Sequence, residues 1–276
     1  MLLTFSLGAQ TPSLENTQIV NGFARKISGT DFSYHSSIPV AKDCMLIRAT
    51  DGNSSMEWET APVPESLNEE TVTFVWLAGI GSSPGRAQFD VKINGQDKFS
   101  FWADGAESWR KIAEDGSTLS FQKDMTDQFG DQFGFMFLQI PAKKVEKGEP
   151  LKIEVTGGNF NKTSWYMTFK FPVKSGLNFK AFPAIVENKN SEKQLGVAGI
   201  LHFGPPTTAK IYLDDKLIKE NKIDFGYNYV RVELPAVNEE KTVSYSLQTG
   251  NFSDEGELIL KPVRKWRVNF VQHSHT

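Results

Sequence analysis

The chain closes on Phe270-Val271-Gln272-His273-Ser274-His275-Thr276, a β-type run carrying histidines at i and i+2. In a strand those positions share one face, so both imidazoles aim at one point. Converging imidazoles suit zinc, but a zinc site takes about four ligands and these residues complete only half of one. The remaining histidines are His35, in the polar stretch Ser33-Tyr34-His35-Ser36-Ser37, and His202, between Leu201 and Phe203 in an apolar run. Neither has a local set of catalytic partners, and both are expected to be structural. Asp104, Glu107, Asp115, Asp124, Asp127 and Asp131 gather near Gly105, Gly116 and Gly130, in what read as loops. Paired carboxylates could serve glycoside hydrolysis. Irregular loops rich in oxygen ligands also suit a structural calcium, although no Asp-x-Asp-x-Asp-Gly loop is present. An exposed acidic surface is the plainer alternative. Among the tryptophans, Trp109 in Glu107-Ser108-Trp109-Arg110 reads as the best exposed platform for a sugar ring, with Arg110 beside it. Trp76 and Trp165 lie in strongly apolar runs and are expected in the core, while Trp58 and Trp102 are further aromatics of the same region.

The terminal run resembles the opening strand of the catalytic domain in family-38 glycoside hydrolases, the zinc-dependent α-mannosidases. There such a strand leads into His-Ser-His-x-Asp, then a Gly and an aromatic residue. The resemblance covers Phe270 to Thr276. It implies that His275 is a zinc ligand, that the partner aspartate would follow Thr276, and that the parent enzyme cleaves α-mannosides with retention. On this reading the zinc, the nucleophile and the acid belong to a catalytic domain beyond these residues.

Composition excludes other classes. Thirty Lys and Arg against 33 Asp and Glu leave a formal net charge of -3. No basic stripe with interleaved aromatics is visible, so nucleic acid is not an expected partner, and no segment approaches the ~18 apolar residues of a membrane span. The single cysteine, Cys44, precludes an intrachain disulfide and reads as a buried, inert thiol. Met1 to Gln10 is a short apolar segment ending in small residues. It resembles the end of a signal peptide cut after Ala9, at the short end of the ~7–15 residues of such apolar regions and without a basic start. Export to a periplasmic or extracellular space is expected.

The elements that must carry these residues are strands. Thr71 to Ala78 is a strong one, and Gln88-Phe89-Asp90-Val91-Lys92-Ile93 alternates before Asn94-Gly95, then Lys98 to Trp102 returns. Asn-Gly between alternating runs signals a type I′ hairpin, because both positions need positive φ. Phe135 to Pro141, Leu151 to Val155 and Trp165 to Phe171 follow, and no long capped helical period occurs. The fold class is therefore all-β. Residues 1–16 read as leader, 17–172 as a jelly roll resembling galactose-binding-like domains, and 173–262 as an immunoglobulin-like sandwich of about seven strands with a turn at Asp214-Asp215. Residues 263–276 read as linker and first strand of the following domain.

Three functions remain open at this point. The chain is the non-catalytic N-terminal β region of an exported α-mannosidase-like hydrolase, touching a mannoside-containing glycan and supporting the C-terminal catalytic domain. Alternatively it is a stand-alone pair of carbohydrate-binding modules, or a structural, docking β region of an envelope protein. Fold alone does not choose among them.

Overall fold

A computed structural model of the chain describes residues 12–50, 54–81, 87–158, 163–188 and 191–265. It divides between Lys174 and Ser175 into two units, where the sequence pattern places the boundary at Pro172-Val173. The first unit holds β1 (Thr17–Asn21), β2 (Arg25–Ser28), β3 (Thr30–Ser33), β4 (Asp43–Arg48), β5 (Ser55–Glu59), β6 (Thr71–Gly81), β7 (Ala87–Ile93), β8 (Gln96–Ala103), β9 (Ser108–Ile112), β10 (Thr118–Thr126), β11 (Gln132–Pro141), β12 (Lys152–Gly157) and β13 (Trp165–Phe169). Its helical content among the described residues is one short 3-10 turn at Ala142–Lys144.

The pairing is nested. β4 pairs antiparallel with β13, β5 with β12, β6 with β11, and β7 with β8. A long hairpin rolled up on itself gives this pattern, and it is the jelly roll that the strand spacing predicts. The roll closes as an eight-stranded sheet, β3-β4-β13-β6-β11-β10-β9 with β1 beside β6, facing a five-stranded sheet, β2-β5-β12-β7-β8. β1 runs parallel to β6 along Thr71 to Val75, and β13 takes the same edge from Ala78 to Gly81.

Burial differs sharply between the two sheets. Every residue of β6 from Val72 to Gly81 is buried, as are Phe133, Phe135 and Phe137 of β11, on the face of that sheet away from the core. A strand buried on both faces reads as a continuous apolar run, which is why Thr71 to Ala78 shows no alternation. In β7, by contrast, buried and half-buried residues alternate without a break. Phe89, Val91 and Ile93 enter the core, and Gln88, Asp90 and Lys92 take the opposite face.

Between the sheets runs a chain of aromatic rings. Phe23 stacks at 6.3 Å from Trp58, Trp58 meets Trp76 edge-on at 5.7 Å, and Tyr166 lies 5.3 Å from Phe101. Trp76 Nε1 donates to Tyr166 Oη at 2.8 Å and Trp58 Nε1 to the Gly22 carbonyl at 2.7 Å, so both buried indoles are satisfied. Cys44 is fully buried, and burial pushes its thiol up to about 12. A thiol reagent is expected to leave the folded chain unlabelled and to react stoichiometrically in denaturant; rapid labelling without denaturant would contradict this placement.

The second unit is the smaller sandwich. β14 (Gly176–Asn188), β15 (Ser191–His202) and β18 (Gly226–Pro235) form one sheet. β17 (Lys216–Ile223), β16 (Thr207–Leu213), β19 (Lys241–Gln248) and β20 (Ser253–Leu260) form the other, in that order. Three strands against four is an immunoglobulin-like arrangement. Ile200, Ile211, Ile223, Leu234 and Leu247 are fully buried in its core. The β16–β17 turn holds Asp214 and Asp215 at φ 44° and 61°. Aspartate tolerates this left-handed region better than most residues. Asp214 also accepts the Ser244 amide at 2.9 Å, so its conformation is pinned to β19. Among the described residues no helix is long and apolar enough to cross a membrane.

Candidate functional site

The outward face of the five-stranded sheet is where polar side chains converge. β7 and β8 are joined by Asn94 and Gly95 at φ 51° and 79°, the type I′ geometry expected of Asn-Gly. A bulge between Val91 and Lys92 then shifts the register and sets Asp90 opposite Ser100 and Gln88 opposite Trp102. Asp90 Oδ1 accepts Gln88 Nε2 and Ser100 Oγ, each at 2.6 Å. On the neighbouring strand, Lys92 Nζ lies 3.5 Å from Glu154 Oε1, and Thr156 donates to the same oxygen at 3.3 Å. Lys98 is hydrogen-bonded to Asp115, and this ammonium is the main cause that holds the Asp115 carboxyl down at about 2. Together Asp90, Lys92, Asp97, Lys98, Ser100 and Thr156 border an open depression of about 670 Å³. Trp102, half-buried, stands on the same face two residues along from Ser100. A fixed carboxylate, hydroxyls, an amide and an indole on a solvent-facing sheet can hydrogen-bond a polyhydroxylated ligand and cover one of its apolar faces.

The residues singled out from sequence are placed differently. Trp109 belongs to β9, an edge strand paired with β10, and not to a loop. Its ring stacks 5.0 Å from Phe101 at 14° and 6.1 Å from Phe121, so it ends the aromatic chain of the core instead of standing clear as a platform. Arg110 is exposed and follows it directly in the strand, which sends it to the opposite face. The pair therefore does not converge on one ligand. Arg110 borders a separate depression with Ser13, Glu15, Thr118 and Gln139. Trp165, expected in the core, is half-buried on the outer face of the large sheet. There a Cβ on Gly81 would come within 2.1 Å of its indole, so glycine is what lets the ring lie against the strand. His202 is buried, with Nε2 2.8 Å from the Pro205 carbonyl. His273 and His275 lie outside the described residues.

Of the acidic residues, Asp127 serves a strap. Asp124 is part of β10, and Asp127 and Asp131 flank the turn into β11. Tyr34, at the start of the β3–β4 connection, donates to Asp127 Oδ2 at 3.2 Å, and His35 Nε2 stands 3.4 Å from the same oxygen. Asp127 Oδ1 meanwhile accepts the amides of Phe129 and Asp131 at 2.8 and 2.9 Å. The Tyr34 and His35 rings lie 5.8 and 5.0 Å from Phe133. The connection is thus tied across the sheet to a turn several strands away. Among the described residues no three His, Cys, Asp or Glu side chains are grouped to hold a metal ion.

Burial raises the Asp131 carboxyl above its ordinary range, with the Asp127 charge adding to the rise and His35 opposing it. The folded state therefore holds this proton more tightly than the unfolded chain. Stability falls as pH rises from the ordinary carboxylate value through the raised one. Asp131→Asn is expected to raise the melting temperature by about 1–2 °C at neutral pH, a small effect because the group is partly exposed. The gain should vanish as pH is lowered through the carboxylate range. A loss of stability at neutral pH, read by thermal melts across pH, would contradict the placement.

No family model matches the chain, and no curated protein sequence does. Among solved structures it is similar to the β-glucuronidase of Ruminococcus gnavus, at 12% identity and TM-score 0.28, over 78% of this chain and 36% of that one. The same enzyme in complex with D-glucuronic acid gives 11% identity, TM-score 0.29 and 78% and 37% coverage. A β-D-glucuronidase of Dictyoglomus thermophilum gives 12%, 0.26, and 86% and 43%. These neighbours are glycoside hydrolases, and this chain spans less than half the length of each. Likeness of this degree carries no argument for the function of the chain.

Proposed function

We propose that the chain is the non-catalytic β-sandwich region of an exported, α-mannosidase-like glycoside hydrolase, and that its first unit touches glycan through the depression around Asp90. The observation that carries the glycan contact is the Asp90 carboxylate, held by Gln88 and Ser100 on a solvent-facing sheet beside Trp102. The parent activity rests on the resemblance of the His273-Ser274-His275 run to zinc-dependent α-mannosidases. In that reading His275 is one ligand of a zinc ion that would hold sugar hydroxyls in the catalytic domain. A polypeptide extended through that domain is expected to carry zinc and to lose it in His275→Ala. Unchanged zinc content would remove His275 from the metal site. Release of mannose from an α-mannoside by these 276 residues alone would overturn the non-catalytic reading.

A further inference from the structure

The depression around Asp90 has a charge pattern that selects among glycans. Both of its lysines are already paired, Lys92 with Glu154 at 3.5 Å and Lys98 with Asp115. Among the described residues, the charged side chains that border it or pair with its border are Lys92 and Lys98 against Asp90, Asp97, Glu154 and Asp115, an excess of negative charge. A carboxylate or sulfate on a ligand would meet that excess, and at either lysine it would have to share the ammonium with a carboxylate already in place. A cationic sugar would find Glu154 and Asp115 each already facing an ammonium. Asp97 lies at the exposed end of the hairpin, next to the turn. What the depression offers undiminished is hydroxyl chemistry. The Asp90 carboxylate is fixed in direction by Gln88, which stands beside the depression, and the Ser100 hydroxyl can accept as well as donate.

We propose that the Asp90 depression binds neutral, hydroxyl-rich glycans and rejects acidic ones. This rests on the glycan-contact reading above and adds the ligand class to it.

The test titrates the chain with three oligosaccharides of matched length: a neutral manno-oligosaccharide, a polyuronate and a chitosan oligosaccharide, each at low and high salt. The neutral ligand is expected to bind at least about tenfold tighter than the polyuronate, with less than about a twofold change between salts, since screening acts on charged pairs. Asp90→Ala and Ser100→Ala should each weaken it by about tenfold, the scale of one lost charge-assisted hydrogen bond, with an unchanged circular dichroism spectrum. Tighter binding of the polyuronate or of chitosan, or a steep salt dependence, overturns the neutral class and leaves the glycan contact standing. Binding to none of the three overturns both.

Discussion

Replacing Trp76 by alanine is expected to cost the first unit about 3–5 kcal/mol, the usual scale for truncating a buried tryptophan. Trp76 is fully buried at the centre of the sandwich. It donates to Tyr166 Oη at 2.8 Å and meets Trp58 edge-on at 5.7 Å. A Cβ on Gly22 would lie 2.7 Å from its ring, so the backbone just after β1 also rests against it. Alanine would leave a hole bordered by two aromatic rings and a backbone that cannot close in together. A domain of this size is stabilised by only about 5–15 kcal/mol, so much of the margin goes. Urea unfolding followed by circular dichroism should show the midpoint fall steeply. Ile112→Ala is the control: its side chain is 71% exposed, and a change within about 0.5 kcal/mol is expected. Equal effects of the two substitutions would contradict the assigned core.

Gly134→Ala is expected to destabilise the same unit by about 3 kcal/mol, the upper part of the range for overpacking. Its φ is not in the left-handed region, so conformational freedom is not the reason. The reason is space. A Cβ there would sit 2.0 Å from the Gln122 carbonyl oxygen and 2.9 Å from the Lys123 Cα. Both are backbone atoms of β10, at the bulge between Lys123 and Met125, and neither can swing aside as a side chain would. β10 and β11 would have to separate, at the expense of their ladder. For a unit of this size the melting temperature should drop by about 6–12 °C, measured by scanning calorimetry. An unchanged melting temperature would mean that the two strands do not pass so closely.

Several elements of this fold are written locally, and others are not. The Asn94-Gly95 and Asp214-Asp215 turns are legible because positive φ restricts residue type to a few choices. β6 is legible because burial on both faces makes its sequence continuously apolar. β2, β3 and β9 are short edge strands with exposed, polar residues, and their composition does not separate them from loops. The same ambiguity hid the orientation of Trp109. Once Ser108 to Ile112 is a strand, alternation alone parts Trp109 from Arg110. Nesting of β4 with β13 and β5 with β12 joins segments far apart in the chain, and no short-range signal records it.

The Asp90 site did leave a trace. A two-residue turn with unbroken register would place Asp90 opposite Phe99 on the same face, yet one is polar and the other apolar. Only a bulge resolves that conflict, and it is the bulge between Val91 and Lys92 that brings Ser100 to Asp90. What sequence could not show is that Gln88 would turn its amide onto the same oxygen, or that Lys98 would reach Asp115 beyond the next strand. Those contacts depend on side-chain reach between elements, and they are what distinguishes this face from any other polar sheet surface.

The most direct test of the account is a calorimetric titration of the purified chain with a manno-oligosaccharide, run on the unaltered protein and on Asp90→Ala. Saturable binding that weakens by about tenfold in the variant, with no mannose released in either sample, is the predicted result. Binding that survives Asp90→Ala unchanged would contradict a glycan contact at this face.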